Sequence, residues 1–122
     1  MNSIKIDMRN IISTGFDFGM VMHGALSING NEIALCQFDS KCMTILYNCK
    51  VNRLLKYIAK DIHIEWMLQN NKNNEVHFIC PVCGRKTLFL YHKGQIIICR
   101  KCMGLTCKSI CRQYEFTPYS EQ

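Results

Sequence analysis

Cys80-Pro81-Val82-Cys83-Gly84 and Cys99-Arg100-Lys101-Cys102-Met103-Gly104, with fifteen residues between Cys83 and Cys99, decide how this chain is read. Two cysteines at i and i+3 of a tight turn aim both sulfurs at one ion. A second such turn, brought opposite by a hairpin, completes a tetrahedron. Gly84 and Gly104 supply the backbone freedom that lets amide N–H groups face thiolate sulfur. Between the two knuckles, Thr87–Tyr91 and Gln95–Cys99 are β-like runs joined at His92-Lys93-Gly94, and Phe78-Ile79 leads into the first knuckle. The pattern predicts a zinc ribbon holding one structural ion on Cys80, Cys83, Cys99 and Cys102.

Four thiolates leave no open coordination position, so the spacing predicts a chain that is not an enzyme and takes no small-molecule substrate. A zinc deaminase needs a His-x-Glu pair, and no acidic residue occurs from 76 to 114. A thioredoxin-like role uses one Cys-x-x-Cys at a helix start and leaves the second pair unexplained. His23, His63, His77 and His92 form no metalloprotease or triad pattern, and there is no phosphate loop or nucleophile elbow.

The charge follows the cysteines. The chain has 122 residues, nine cysteines and a net charge of +6. Residues 1–75 are near balance, whereas 76–114 carry seven Lys/Arg and no acid. Arg85, Lys86, Lys93, Arg100, Lys101 and Lys108 are the candidate contacts to an anionic partner, with Tyr91 or His92 stacking on a base. The same cations also read as a solvated basic face. Nine is an odd number, so a complete disulfide framework is excluded, and clustered thiols in a reducing compartment point to metal. No apolar run reaches the length of about 20 that spans a bilayer, and the first residues lack the apolar core of a signal peptide. The expectation is an intracellular, cytoplasmic protein with no membrane contact.

The first half reads as β. Ile4-Lys5-Ile6-Asp7-Met8 alternates, then Ile11-Ile12 suggests a turn or one helical turn. Phe16, Phe18, Met20 and Met22 keep a strand period. Asn29-Gly30 predicts a type I′ hairpin joining Ala25–Ile28 to Glu32–Phe38, and a reversal at Asp39-Ser40-Lys41 leads to a third strand, Cys42–Cys49. Val51, Leu54, Leu55 and Ile58 then fall at i, i+3, i+4, i+7, with Lys50, Arg53, Lys56 and Lys60 opposite, which predicts an amphipathic helix near 51–60. Its outer face reads as solvated or as a partner surface. Ile62, Ile64 and Trp66 return to a strand period, and Gln69–Asn74 is a polar loop dividing the chain. Cys36, Cys42 and Cys49 read as small apolar core residues. Cys107 and Cys111 read as packing or a free thiol rather than as a second zinc site with His77 or His92. The expected fold is mainly β (small α+β). A β-meander with one helix occupies 1–75, and a four-cysteine ribbon with a short tail occupies 76–122.

The run Phe78-Ile-Cys-Pro-Val-Cys-Gly-Arg-Lys, then Leu88-Phe-Leu-Tyr91, then Cys99-Arg-Lys-Cys-Met-Gly-Leu-Thr and Ser109 resembles a largely uncharacterised zinc-ribbon family of bacterial and phage proteins. The likeness is good over 76–110 and looser over 4–68, where Ile6-Asp7-Met8-Arg9, Asn29-Gly30 and Trp66 carry it. It implies a fold and a metal, and not an activity. Two functions compete. One is nucleic-acid binding, to DNA or RNA, through the basic ribbon. The other is a protein-protein interaction module, such as a phage or mobile-element accessory subunit or inhibitor docking on a larger nucleic-acid-handling complex through the meander edge or the 51–60 helix.

Overall fold

Asn29 and Gly30 both take left-handed backbone, with φ of 52° and 79°, and turn β2 (Met22–Ile28) back onto β3 (Asn31–Phe38). The computed structural model describes residues 3–14, 21–39, 41–67, 75–105 and 112–119. At the next reversal the Asp39 carboxylate accepts the N–H groups of Lys41 and Cys42, both at 2.7 Å, which starts β4 (Cys42–Val51). The three expected strands of the meander are therefore present. The alternation at 16–20 and the polar run at 69–74 lie outside the described residues.

The helix expected near 51–60 is a strand. After β4, Asn52 and Arg53 turn with φ of 50° and 68°, and β5 (Leu54–Met67) runs back along β4 in register from Val51↔Leu54 to Cys42↔His63. The four apolar residues at helical spacing do not share a face. Val51 and Leu54 pair across the turn, and Leu55 and Ile58 point to opposite sides of β5. A helix of this length is marginal alone, whereas ten ladder pairs against β4 satisfy its backbone.

The second half of the chain joins both sheets. β6 (Glu75–Ile79) pairs with β5 through Ile64↔Phe78, and β7 (Lys86–Thr87) pairs with β6. β8 (Phe89–Lys93) leaves that sheet and pairs with β1 (Ile4–Asp7) on one side and β9 (Ile96–Ile98) on the other. The sharp exit is held at Thr87, whose hydroxyl donates to the Phe89 carbonyl and accepts the Phe89 N–H. β10 (Arg112–Gln113) adds to β1 in parallel, and β11 (Glu115–Pro118) pairs with β2. The orders are β11-β2-β3-β4-β5-β6-β7 and β10-β1-β8-β9.

One core lies between the sheets. Alternate residues Ala34, Cys36, Phe38, Met43, Ile45 and Tyr47 face inward from β3 and β4, and meet Ile6 and Leu90 of the smaller sheet. α1 (Met8–Ser13) adds Met8 and Ile11, capped by the Asp7 carboxylate accepting the Arg9 N–H at 2.9 Å. The last helical turn, α2 (Arg100–Met103), belongs to the second cysteine pair. Of the spare cysteines, Cys36 is a buried core residue, and burial pushes its thiol up to about 12. Cys49 is half-buried and packs against that core, whereas Cys42 is half-buried at the start of β4. Cys107 and Cys111 lie outside the described residues.

Candidate metal centre

β6 delivers Cys80 to the edge of the core, and the chain then turns tightly. The Gly84 N–H donates to the Cys80 carbonyl and the Cys80 N–H to the Arg85 carbonyl, both at 2.9 Å. Gly84 has φ of 72° with open space around a notional Cβ, so the dihedral alone favours glycine there. The second pair is built differently. β9 ends at Ile98, Cys99 sits at the N-cap of α2, and the Met103 N–H donates to the Cys99 carbonyl at 2.9 Å. Gly104, with φ of 75°, closes that turn as its left-handed cap.

The four sulfurs of Cys80, Cys83, Cys99 and Cys102 all lie within 4.8 Å of one another. Cys80 Sγ is 3.9 Å from Cys102 Sγ, and Cys83 Sγ is 3.6 Å from Cys99 Sγ. A tetrahedral zinc with Zn–S of about 2.3 Å separates its sulfurs by about 3.8 Å. A disulfide would bring two of them to about 2.05 Å, so the cluster is one of free thiols. Cys80 and Cys99 are buried, Cys102 is half-buried, and Cys83 is exposed, which leaves a way in for an ion.

The thiols must ionise to hold a divalent cation. Burial opposes ionisation at Cys80, but the backbone N–H groups of Cys83, Cys99 and Val82, with the Cys99 thiol, outweigh it and lower its pKa to about 6. The Cys99 N–H lies 3.3 Å from Cys80 Sγ. Cys102 moves the other way, up to about 12, through its contact with the Cys99 thiol, then burial, then Cys83 and Cys80. The cage thus favours the thiolate at Cys80 and opposes it at Cys102, where a divalent ion among the sulfurs would supply the missing positive charge. A set of four sulfur donors at this spacing fits a soft or borderline tetrahedral ion.

The predicted cations do not form one patch. Arg85 and Lys101 are exposed beside the two knuckles, and Arg100 is half-buried. Lys86 pairs with Glu65 at 3.2 Å. Lys93 sits at the turn of the β8–β9 hairpin, the end away from Cys99. Lys108 lies outside the described residues. Tyr91 and His92 are 7% and 8% exposed, so neither can stack on a base as expected. The spacing around Lys60 predicts a helix, whereas on strand β5 it lines a cleft of about 230 Å³ with Pro81 and Val82 of the first knuckle. No sequence signal links Lys60 to that knuckle, because the contact depends on the strand register of β5. No helix of the described residues is long and apolar enough to cross a membrane. Comparison with protein-family models, with curated proteins and with solved structures finds no match to this chain.

Proposed function

We propose that this chain is a non-catalytic zinc-ribbon protein that binds nucleic acid, DNA or RNA, through cations bordering the first knuckle. One observation carries the reading: Lys60 of β5 lines a cleft with Pro81 and Val82 of the first knuckle, the turn on which exposed Arg85 also stands. Lys56 and Lys60 alternate to one face of β5, while Asp61, which also lines the cleft, turns its carboxylate away to accept the Thr44 hydroxyl at 2.7 Å. Lys101 adds a charge from the second knuckle. Flexible exposed cations of this kind contact phosphates without reading sequence. The zinc has a structural role here, because four thiolates fill its shell. Seven described cysteines, none of them in a disulfide, suit a reducing intracellular compartment.

The test is fluorescence anisotropy of labelled single-stranded DNA and RNA against the zinc-loaded chain at several salt concentrations. Affinity should fall with salt, with a log–log slope of about −0.7 to −0.9 per phosphate neutralised. Lys60→Glu with Arg85→Glu should weaken binding at least tenfold and flatten that slope, with zinc content unchanged. No binding at low salt, or binding indifferent to the charge reversal, overturns the reading.

A second reading has its own support. Leu35, Leu46 and Tyr57 are 40%, 43% and 83% exposed on the outer face of β3, β4 and β5. An apolar face of that kind suits a protein-interaction module docking on a nucleic-acid-handling complex. A stoichiometric protein that survives nuclease in a pull-down from native cells would establish it.

A further inference from the structure

At the end of the β8–β9 hairpin away from the cysteines, the two sheets part around a cavity of about 490 Å³. That is within the range of small-ligand sites. Its walls come from both sheets: Ile4 of β1, Ile33 of β3, and Cys49 of β4, whose thiol is half-buried. Lys50 and Lys93 stand at its edge, exposed, and neither pairs with a carboxylate among the described residues. No acidic residue among the described residues lines it; the other polar walls are the neutral amides of Asn48 and Gln95.

The floor is polar, buried and uncharged. His92 Nε2 lies 3.0 Å from the Gly94 carbonyl, which can only accept, so Nε2 carries the proton. Nδ1 is then the acceptor, and the Tyr114 hydroxyl donates to it at 2.9 Å. Burial keeps the imidazole neutral by lowering its pKa. Behind this floor, and not itself part of the cavity lining, the Tyr47 ring packs 4.3 Å from that of His92.

We propose that this cavity is a binding site for a small organic anion with an apolar body, an aromatic carboxylate being the chemical class that fits. Lys50 and Lys93 would hold the charged head at the mouth, and the Ile4, Ile33 and Cys49 walls would take the body. The site is separate from the four clustered cysteines and shares Gln95 with the cleft at Lys60, but it does not depend on the function proposed above.

Isothermal titration of the full zinc-loaded chain with 2-naphthoate and with 2-naphthamide, its neutral counterpart, tests the charge requirement. Naphthoate should bind at least tenfold more tightly than the amide. Lys50→Gln with Lys93→Gln should reduce naphthoate to the amide's affinity, with an unchanged circular dichroism spectrum. A second measurement uses the Cys49 thiol. Iodoacetamide labelling, mapped peptide by peptide, should slow several-fold at Cys49 under saturating naphthoate and stay unchanged at Cys42, which does not line the cavity. Absence of binding at millimolar naphthoate, equal affinity for the two compounds, indifference to the double substitution, or equal labelling at Cys49 each overturns the proposal.

Discussion

The cysteine end and the tip of the β4–β5 hairpin are built from the same kind of element, two strands and a tight turn, and are held by different forces. At the cysteine end, buried Cys80 and Cys99 bring their knuckles together, and the contacts that matter are between side chains. At the hairpin tip, Leu54, Leu55 and Tyr57 are 64%, 67% and 83% exposed, and the backbone ladder alone keeps the strands paired. The difference teaches where folding information resides. Side-chain convergence is written in residue identity, whereas a turn held by dihedral angles is written in it only when the residues are those that favour the angles.

Metal removal separates the two ends most strongly. Structural zinc contributes on the order of 10 kcal/mol or more to folding. Chelation, or Cys102→Ser, should therefore abolish amide protection over residues 80–105 while the β2–β3 ladder keeps slower exchange. Hydrogen exchange followed by mass spectrometry reads both at once. Equal protection of 80–105 with and without metal would break the contrast.

Gly24 tests the ladder side. It pairs with Cys36 of β3 and Pro118 of β11, and an added Cβ would meet the Phe116 ring and stand 2.6 Å from the Thr117 carbonyl oxygen. That oxygen is backbone, so β11 must shift. Gly24→Ala should cost about 3 kcal/mol in urea denaturation of the zinc-loaded chain. Metal affinity of the folded variant should be unchanged, because the four clustered cysteines lie outside β2, β3 and β11.

The buried His92–Tyr114 pair links the smaller sheet to the segment before β11. Tyr114→Phe leaves Nδ1 with no donor and should cost about 2 kcal/mol. The pair also sets a pH dependence. Burial lowers the folded pKa of His92 below the unfolded value of about 6.5, so the unfolded chain takes up the proton first. Stability should fall as pH drops below about 6.5, until the folded pKa is passed. Thermal melts from pH 8 to 5 should show this loss in the wild type, and a smaller loss in His92→Asn.

What was legible in the chain follows the same division. The four cysteines were readable because i, i+3 spacing and a following glycine describe a knuckle whatever surrounds it. The meander was readable because Asn29-Gly30 is the pair that accepts two positive φ angles at low cost. The pairing of β8 with β1 was not, since nothing in Phe89–Lys93 records which strand more than eighty residues away will lie beside it. Lys60 beside Val82, and Lys50 beside Lys93, share that origin. These contacts depend on register, which no local spacing encodes. The burial of Tyr91 and His92 also follows from β8 lying between two partners.

The misread segment supplies the finest test, because the two hairpins differ at one position of the turn. Asn29-Gly30 and Asn52-Arg53 have nearly the same angles, 52° and 79° against 50° and 68°. Glycine adopts such φ values freely, while arginine there is strained by about 1 kcal/mol. Arg53→Gly should therefore stabilise the chain by up to about 1 kcal/mol, and Gly30→Arg should destabilise it by a similar amount. Space does not complicate the second change, since nothing lies within 4 Å of a Cβ at Gly30. Paired urea titrations of the two variants measure both signs. Opposite signs of similar size would show that one dihedral separates the legible hairpin from the illegible one. If Arg53→Gly is neutral or destabilising, the arginine side chain holds the turn, and the tip is tied by more than its backbone.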